Sequence, residues 1–591
     1  MITFQGIAVS PGVAIGKAVV FNVEGGRVPP SYCESTAVPA ELERLDDAIR
    51  LATVGIQESS QGVSQKIGVE YGAIFEGHLL MLHDDSLKKR LREAVEKRRF
   101  SAEYAVYDTL GEYAAKFQNL NDPYLAERAS DVRDLQNRLL RILTNERMQV
   151  RFSEPVIVFA RNFTPSETAA MDTHFIQAFA TESGGPASHT AIVAEALHIP
   201  AVVGVGQFLH HLASGDIVIV DGDAGTIIIH PDENTLERYE RLQSRQQSYA
   251  VDLASLKDLK AVTKDGTEIE LLGNIEFPSE AEDCWNINAD GIGLYRTEFL
   301  YLGGEHPDEQ EQYEAYRGVL EKMNGRPVTI RTVDLGADKL LEKPDTEGDE
   351  FSSYYIEEEK NPCLGLRSIR LSLKRVELFR RQLRAILRAA YYGRAKIMFP
   401  LISTVAEWRQ ARMIVEDVKE DLAERGVHFA PDVPIGMMVE VPSSVLMIDR
   451  FVREVDFFSI GTNDLTQYTL AVDRTNKDVY YLYNSCDPVI LKLIHMTVLA
   501  ADGAGKPVSL CGQMSGNPIF TPLLLGLGLR HLSMAPALLP EVKKVCREVD
   551  IEQCRLIAQK ALEMEKASEV RNYLRAEYFH LFPEMDGEGV L

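Results

Sequence analysis

Residues 435–464, IGMMVEVPSSVLMIDRFVREVDFFSIGTND, decide the fold of the second half of this chain. Two short apolar runs, at 435–440 and 457–461, are separated by a segment long enough for a crossover connection. Such runs are typical of parallel strands buried on both faces. Polar residues stand where each run ends, Glu440 after the first and Asn463 and Asp464 after the second. The stretch therefore predicts a strand–helix–strand unit with chemistry at its carboxyl edge.

The same pattern recurs along the rest of this half. Further strands are predicted at 269–275, 291–295, 328–334, 396–400, 507–511 and 531–534. Eight strands separated by crossovers predict a (β/α)₈ barrel, a TIM barrel, over residues 261–575. A doubly wound open sheet is the alternative, because periodicity alone does not distinguish a closed sheet from an open one.

The first half of the chain has a different pattern of apolar residues. Residues 38–147 show apolar positions at three- and four-residue steps, which predicts helices. Short β-rich runs precede this block at 7–21 and follow it from 156 to 229. We therefore expect a small α/β domain over 1–232 that contains an inserted helical bundle at about 35–147. A helical linker is expected over 233–260, which has no Gly or Pro, and a C-terminal tail over 576–591.

Composition narrows the functional classes. The 591 residues include 63 Lys and Arg against 88 Asp and Glu, a net charge of −25, which disfavours binding to nucleic acid. No apolar run is long enough to insert into a membrane, and no secretory signal is visible. The seven cysteines contain no Cys-x-x-Cys pair, which fits a reducing compartment. We expect a cytoplasmic protein.

The polar residues at the strand ends suggest a substrate class. Glu440 and Asp464 are hard oxygen ligands on neighbouring strands, a set that suits Mg²⁺. Guanidinium groups bind carboxylate and phosphate bidentately. Four arginines stand near the predicted strand ends, namely Arg296, Arg331, Arg367 and Arg474. Together these residues predict a magnesium ion and a small, highly anionic substrate.

Cys511 ends the strand at 507–511 in the sequence SLCGQMSG. Most cysteines at such positions are inert core residues. A thiol placed over a bound substrate is also able to donate a proton as a general acid. The residues alone leave both interpretations open.

In the first half the informative stretch is GGPASHTAIVAEALHIPAVVG, residues 184–204. His189 stands where a helix is predicted to begin, and exposed amide donors at a helix start favour an attached phosphate. This context predicts that His189 accepts a phosphoryl group. No nucleotide-binding motif is recognisable: the glycines at 12–18 do not have the spacing of a phosphate-binding loop, and no strand is followed by G-x-G-x-x-G.

Over essentially its whole length the chain resembles the enzyme I family of the bacterial phosphoenolpyruvate:sugar phosphotransferase system. The matching blocks, in the order of that family, are GIAVSPGVAIGKA, GGPASHTAIVA, GLYRTEFLY, IRTVDLGADK, NPCLGLRSIR, VEVPS, SIGTNDLTQY and SLCGQMSG. The resemblance implies a swivelling phosphohistidine α/β domain with a helical subdomain that docks the carrier HPr, followed by a (β/α)₈ barrel that binds phosphoenolpyruvate and forms a homodimer.

The resemblance also implies a role for each candidate residue. His189 would be the phosphorylated histidine, Glu440 and Asp464 would hold Mg²⁺, and Cys511 would protonate the enolate to give pyruvate. Phosphoenolpyruvate would be bound by Arg296, Arg331, Arg367, Arg474, Asn463 and the backbone of Asp464. The phosphoryl group would pass from His189 to HPr as the first step of sugar uptake.

Some residues depart from the family pattern. Pro186-Ala187 precede the histidine where a basic residue and a Thr are common, and Ala337 replaces a frequent Gly. The segment 342–360 is longer and more acidic than is usual in the family. It is expected to form either a solvated loop or a regulatory contact. An acidic helical segment around Glu70, Glu76, Asp84 and Asp85 could receive a basic carrier. His83 stands in this segment where another acid is expected.

Two other functions remain as alternatives. A phosphoenolpyruvate synthase or pyruvate phosphate dikinase needs a large ATP-binding domain ahead of the histidine, and much of the sequence there is the helical block. A catalytically silent regulator would be expected to lack His189, Glu440, Asp464 or Cys511, and all four are present. A nitrogen-related paralogue would carry an N-terminal sensor domain ahead of the family's opening block. Here the sequence starts directly with that block, GIAVSPGVAIGKA, so a member of the sugar-type system is expected.

Overall fold

The computed structural model divides the chain into two compact units, Met1–Tyr249 and Ala250–Asp586. It describes residues 1–21, 29–66, 78–118, 123–144, 154–163, 175–185, 188, 191, 194, 199–301, 307–336, 361–476 and 478–583. Several predictions fall outside the described residues, namely those on Glu70, Glu76, Pro186, Ala187, His189, Ala337 and residues 342–360.

The first unit contains an eight-stranded mixed sheet. Its strands are β1 (Ile2–Gln5), β2 (Ile7–Ser10), β3 (Val13–Phe21), β4 (Val156–Ala160), β5 (Ile176–Thr181), β6 (Ala201–Val203), β7 (Ile217–Asp221) and β8 (Thr226–Ile229). The spatial order is β1-β8-β7-β3-β4-β5-β6-β2. The central strands β3 to β6 run parallel to one another, and antiparallel strands close both sides.

The predicted β-rich runs are confirmed, but one strand was not predicted. β1 pairs with β8 at the edge of the sheet, and most of its residues are exposed. An edge strand of this kind has no alternation of buried and exposed positions, so the sequence carries little signal for it. The central strand β4, by contrast, is buried at all five positions.

A helical bundle is inserted between β3 and β4. Its helices are Val38–Lys66, Asp85–Glu96, Ala102–Gln118 and Pro123–Thr144. Because β3 and β4 are adjacent and parallel, the insertion leaves the sheet continuous. The bundle has its own core, in which Leu45, Leu91 and Leu139 are almost fully buried. The predicted inserted bundle is confirmed.

A helix at Glu233–Ser255 follows β8 and contains the boundary between the two units. The Tyr239 hydroxyl donates to Asp221 Oδ2 at 3.0 Å, which fixes the first part of the helix against β7. Among the described helices, none combines the length and apolarity that a bilayer crossing requires.

The second unit is a closed barrel of eight parallel strands, which excludes the open-sheet alternative. The strands are β9 (Glu270–Ile275), β10 (Gly291–Tyr295), β11 (Val328–Arg331), β12 (Ala395–Phe399), β13 (Ile435–Val439), β14 (Phe458–Ile460), β15 (Val508–Leu510) and β16 (His531–Met534). The α-helices of this unit are Glu280–Asn286, Glu309–Lys322, Ser368–Lys374, Val376–Ala389, Val405–Glu424, Pro442–Leu446, Ile448–Phe451, Thr462–Leu470, Pro488–Gly503, Thr521–Gly526, Leu539–Glu548, Ile551–Leu562 and Ala567–Leu581.

The predicted strands match the observed ones closely, with a systematic difference at their ends. β11 stops at Arg331 rather than at residue 334, because the amide of Val333 donates to Gln382 Oε1 instead of to a strand. Glu440 and Cys511 likewise lie just beyond their strands. The polar residues therefore stand in the loops that leave the carboxyl ends of the strands.

The interior of the barrel is apolar in its middle layer, where Leu294, Met398, Met438, Phe457 and Cys511 form one cluster. Side chains two residues apart on a strand point to the same face. Glu440, two residues after Met438, therefore extends the inward-facing row to the carboxyl end of the barrel.

Candidate active site

A cavity of about 480 Å³ lies at the carboxyl ends of the barrel strands. All eight barrel residues that the sequence singled out line this one cavity: Arg296, Arg331, Arg367, Glu440, Asn463, Asp464, Arg474 and Cys511. They come from different strands and are up to 215 positions apart, since 511 minus 296 is 215. The fold therefore gathers the predicted barrel residues in one place.

Two arginines are held rigidly at the base of the cavity. Arg331 Nη2 lies 3.1 Å from Glu298 Oε1, and its Nη1 lies 3.3 Å from Asp334 Oδ2. Asp334 also binds Arg367, whose Nη2 lies 2.8 Å from Oδ1. Because Asp334 bridges both guanidinium groups, the two arginines are pre-oriented before any ligand binds.

The charges of this network stabilise one another despite burial. Burial alone would lower the pKa of Arg331, but Glu298, Asp334 and Glu440 raise it above its ordinary value. Burial would raise the pKa of Asp334, but Arg331 and Arg367 hold it below its usual range. Arg331 and Asp334 are therefore ionised at neutral pH, and the arginine is available to an anion.

Arg367 is also positioned by its own backbone. The following residue, Ser368, is buried and adopts φ of 58°, a left-handed conformation that is rare for a residue other than glycine. The amide of Ser368 donates to the carbonyl of Leu335 at 3.0 Å. On the side-chain end, Arg367 Nη1 donates to the Tyr468 hydroxyl at 3.5 Å. Local strain is thus maintained at the residue that aims Arg367 into the cavity.

The other two arginines lie at the rim. Arg296 forms an ion pair with Glu276, and its side chain is 37% exposed. Arg474 Nη2 lies 3.7 Å from Asp464 Oδ1, and its side chain is 39% exposed. Ion pairs this exposed are weak, so each arginine is able to reorient at low energetic cost. These two are therefore suited to closing over a ligand.

Glu440 and Asp464 place two carboxylates deep in the cavity. Glu440 is 1% exposed and accepts a hydrogen bond from the amide of Leu401 at 2.5 Å. Gly461 makes room for it, because a Cβ at that position would lie 2.8 Å from Glu440 Oε2. Burial, followed by repulsion from Asp464 and Asp334, raises the pKa of Glu440 to about 8.

These two residues fit a divalent cation. Asp464 Oδ1 is buried and accepts no hydrogen bond from any described residue. A cation between two repelling carboxylates would relieve the repulsion and satisfy that oxygen. Within the described ranges no cluster of three or more His, Cys, Asp or Glu side chains is arranged for a metal. Water and substrate oxygens would therefore complete the coordination, as is common for Mg²⁺.

Asn463 is fixed from both sides. Its backbone carbonyl accepts a hydrogen bond from the Tyr483 hydroxyl at 3.1 Å, and its Oδ1 accepts one from the amide of Gln513 at 3.2 Å. Since Oδ1 is engaged, the amide nitrogen is the part of this side chain that is available to a ligand. That group is a hydrogen-bond donor and suits an anionic oxygen.

Cys511 is 5% exposed and contributes to the wall of the cavity. Its Sγ donates to the carbonyl of Ile460 at 3.6 Å. Burial raises the pKa of the thiol above its ordinary value, although the nearby Ser459 hydroxyl acts in the opposite direction. The group therefore remains protonated at neutral pH, which a proton donor requires and a nucleophile does not.

His189 itself lies outside the described residues, so its proposed role stays a prediction. Its neighbours show the expected local features. Gly184 adopts φ of 127°, a conformation that favours glycine. The hydroxyl of Ser188 accepts a hydrogen bond from the amide of Ala191 at 3.4 Å, as a residue at a helix start does.

Three residues of the site had no role predicted from the sequence, although Glu298 and Tyr468 lie within the blocks GLYRTEFLY and SIGTNDLTQY. Glu298 binds Arg331, Tyr468 binds Arg367, and Gln382 is a fully buried amide behind the end of β11. Gln382 accepts from the amide of Val333 and donates to Thr297 Oγ1 and to the Tyr316 hydroxyl. Their roles depend on contacts between residues 33 to 101 positions apart, which neither periodicity nor strand-end position reveals.

Comparison with known families assigns the class of protein. Three family models match this chain: "PEP-utilising enzyme, PEP-binding domain" over residues 251–551, "PEP-utilising enzyme, N-terminal" over 5–128, and "PEP-utilising enzyme, mobile domain" over 152–225. The first of these covers the barrel and its cavity. The fold and the site are therefore those of an enzyme that uses phosphoenolpyruvate.

Relatives that match nearly the whole chain show which family of phosphoenolpyruvate-utilising enzymes it belongs to. A phosphoenolpyruvate-protein phosphotransferase of Geobacillus stearothermophilus is 42% identical over 580 residues, which cover 97% of this chain and 98% of the relative. The protein of the same name from Bacillus subtilis is 38% identical over 574 residues, covering 97% and 99%. The chain belongs to the phosphoenolpyruvate-protein phosphotransferase family.

Proposed function

We propose that this enzyme transfers the phosphoryl group of phosphoenolpyruvate to His189, releases pyruvate, and then phosphorylates a histidine of the carrier HPr as the first step of sugar uptake. The observation that supports the proposal best is the single cavity at the carboxyl ends of the barrel strands. It combines four arginines, two buried carboxylates and a protonated thiol.

The four arginines would bind different parts of the substrate. Arg331 and Arg367, already oriented by Asp334, would hold the phosphoryl and carboxylate oxygens of phosphoenolpyruvate. Arg296 and Arg474 would close over the ligand from the rim. The amide nitrogen of Asn463 would donate to a further oxygen. Binding an anion of this charge requires several cations, and the cavity supplies them in an otherwise acidic protein.

Glu440 and Asp464 would hold Mg²⁺. When bound, that ion supplies positive charge to the oxygens of the transferring phosphoryl group and of the enolate. Glu440 would then be ionised, because the positive charge of the cation offsets the burial and the repulsion that raise its pKa.

In the transfer, a ring nitrogen of His189 would form a bond to phosphorus while the bond between phosphorus and the enol oxygen breaks. The electron pair of that bond goes to the enolate of pyruvate. The arginines spread the charge of the transferring group, which is the main catalytic requirement of phosphoryl transfer. The enolate remains held by the groups that bound the substrate.

Cys511 would complete the first half-reaction. Its Sγ proton passes to the methylene carbon of the enolate, which yields pyruvate, and the resulting thiolate regains a proton from solvent. The raised pKa of the thiol keeps the donor protonated between turnovers. General acid catalysis of this kind contributes roughly 10²- to 10⁴-fold.

The second half-reaction needs a carrier. The barrel cavity belongs to the second unit and His189 to the first, so the two must meet during the cycle and then separate to expose the phosphohistidine. The helix Glu233–Ser255 connects them along the chain. We also propose a homodimer formed through the barrel unit and a cytoplasmic location, where HPr is available.

The inserted bundle is the proposed docking site for HPr. One of the acids expected to face the carrier stabilises the bundle itself, because Asp84 Oδ1 accepts hydrogen bonds from the amides of Ser86 and Leu87 at the start of helix Asp85–Glu96. Asp84 therefore has a structural role in the bundle in addition to any contact with the carrier. An Asp84 substitution would weaken the helix.

The experiment is a label transfer. The full-length protein is incubated with phosphate-labelled phosphoenolpyruvate and Mg²⁺, the label is mapped, and HPr is then added. We expect an acid-labile label on His189 that moves to HPr. His189→Ala should take up no label, while His210→Ala, which removes an exposed histidine of the same unit outside the helical bundle, should behave as wild type. Label that stays on the enzyme would reject HPr as the carrier; no label would reject the whole proposal.

A further inference from the structure

The barrel has a second cavity, of about 340 Å³, at the amino ends of its strands. Its walls include the first or second residue of several strands, namely Glu270, Thr329, Lys396, Ser509 and His531. None of its lining residues belongs to the active-site cavity. We call it the amino-end cavity.

The residues of the amino-end cavity form the lowest inward-facing layer of the barrel. Lys396 stands two positions before Met398, and Ser509 two positions before Cys511, and both of these later residues lie in the apolar interior cluster. Side chains two apart share a face of the strand. Inner layers of such barrels are normally filled with branched apolar residues. Here that layer carries charges and hydroxyl groups.

The acidic groups around this cavity already have partners. Glu270 Oε2 lies 2.9 Å from His531 Nδ1, and Glu268 Oε1 lies 2.5 Å from Lys260 Nζ. Asp290 Oδ2 accepts a hydrogen bond from the amide of Leu271 at 2.8 Å. The carboxylates therefore do not require a bound cation.

The two cations that line the cavity, the partly buried Lys396 and the exposed Arg394, have no such direct partner within the described ranges. In the part of the chain that the structure describes, neither Lys396 nor Arg394 forms an ion pair or a side-chain hydrogen bond. Lys396 Nζ lies 5.4 Å from the centre of the Phe457 ring. Burial lowers the pKa of Lys396, although Glu270 acts in the opposite direction. Among the described residues no carboxylate forms a direct ion pair with Lys396: Glu270 acts on it only at longer range and is itself paired with His531, so a bound anion would supply the missing direct contact.

There is room for more than a single small ion. A neighbouring cavity of about 440 Å³ shares Lys396, Phe457 and Pro507 with the amino-end cavity. It adds Arg412 and Lys419 to the lining, together with Asp432 and Asp456. Lys396 thus stands where the two spaces join, beside the Phe457 ring.

We propose that the amino-end cavity binds a small organic polyanion, such as a tricarboxylate or a phosphate ester, with Lys396 as its principal cation. Arg394 provides a second positive charge, and the hydroxyl of Thr329 donates a hydrogen bond. The ligand is distinct from phosphoenolpyruvate bound in the active site, because the two cavities share no residue.

The proposal is tested by calorimetric titration of the full-length protein with citrate and, separately, inorganic phosphate, at constant ionic strength. Four proteins are compared: wild type, Lys396→Met, Arg367→Met and Lys322→Met. Lys322 pairs with Glu282 and lies outside both cavities, so Lys322→Met removes the same charge as a control. We expect a saturable site that Lys396→Met weakens at least about tenfold and that the other two variants retain.

The two probes separate the chemical sources, since stronger binding of citrate would indicate a carboxylate ligand and stronger binding of phosphate a phosphorylated one. If neither probe binds at a saturable site, or if Lys396→Met binds as wild type does, the proposal is wrong. Loss in Arg367→Met instead would assign the binding to the active site and overturn it as well.

Thermal unfolding without added anion supplies a second readout. Lys396→Met should unfold at a higher temperature than wild type, because an unpaired charge is replaced by an apolar side chain of similar length. Lys396→Gln serves if the methionine variant does not fold. A lower unfolding temperature for both variants would show that Lys396 has a structural role only, and the proposal would fall.

Discussion

At the scale of single residues, the main feature of the barrel cavity is that one acid, Asp334, forms ion pairs with two arginines. It contacts Arg331 at 3.3 Å and Arg367 at 2.8 Å, so neither guanidinium has to be ordered when substrate binds. Cys511 and Glu440 complete the site with groups whose pKa values burial raises. Each of these features leads to a measurable consequence.

Cys511→Ala should slow pyruvate formation by roughly 10²- to 10⁴-fold, because it removes the proposed proton donor. The KM for phosphoenolpyruvate should change little, since the arginines remain. Steady-state kinetics measures both quantities. As a control, Cys546→Ala removes another buried thiol of the same unit, away from the cavity, and should leave the rate unaltered. Equal effects of the two substitutions would contradict a chemical role for Cys511.

Glu440 should make stability depend on pH. Its pKa is about 8 in the folded protein, against an ordinary value of 4.5. A raised acid pKa means that the folded state keeps a proton that the unfolded state loses. Stability from this group is therefore full below the unfolded pKa and declines as pH rises toward 8.

Glu440→Gln should remove that decline. The difference in unfolding free energy between variant and wild type should grow by about 1.4 kcal/mol per pH unit between roughly pH 5 and 8, without divalent cations. Urea unfolding at several pH values measures it. Mg²⁺ should stabilise wild type more than the variant. A difference that is constant with pH would show that Glu440 is ionised in the free protein.

At the scale of elements, the site depends on how helix Val376–Ala389 supports the end of β11. Gln382 Oε1 accepts from the amide of Val333 at 3.0 Å, and Nε2 donates to Thr297 Oγ1 and the Tyr316 hydroxyl. All of this lies directly behind Arg331. The helix thereby holds the loop from which Asp334 reaches both arginines.

Gln382→Leu should destabilise the protein by about 1–3 kcal/mol, because the amide of Val333 becomes a buried donor without an acceptor. It should also raise the KM for phosphoenolpyruvate. The matched control is Gln410→Leu, at an exposed position of helix Val405–Glu424, with a smaller expected effect. Denaturant unfolding and kinetics check both points. Equal destabilisation by both changes would contradict the proposed support.

Elements also show what the sequence predicts and what it does not. The barrel strands were predictable because burial on both faces leaves continuous apolar runs, and the site because polar residues follow those runs. The exposed edge strand β1 lacks any such signal. Glu298, Gln382 and Tyr468 were not predictable, since their partners are far away in sequence and meet only through the closed barrel.

At the scale of the whole molecule, the chain consists of two compact units with separate cores. The substrate cavity belongs to one unit and the proposed phosphoryl acceptor to the other. In the proposed function, cleavage of phosphoenolpyruvate and relay to a carrier would therefore fall to different units, which would have to move during the cycle.

This division predicts two thermal transitions. In His189→Ala, where no turnover occurs, phosphoenolpyruvate with Mg²⁺ should raise only the transition of the barrel unit. Phosphoenolpyruvate at about 100 times its Kd should raise the unfolding free energy of the barrel unit by about 2.7 kcal/mol. Differential scanning calorimetry resolves the transitions. A single transition, or equal shifts of two, would show that the units do not unfold separately.

In the proposed reaction, the barrel cavity cleaves phosphoenolpyruvate and leaves the phosphoryl group on His189. The most direct test is isotope exchange from carbon-labelled pyruvate into phosphoenolpyruvate, with Mg²⁺ and without carrier or nucleotide. The wild-type protein should catalyse the exchange, and His189→Ala should not. Arg331→Met should lose at least about 10²-fold of the rate. Exchange that persists in His189→Ala, or its absence in the folded wild-type protein, would contradict the claim.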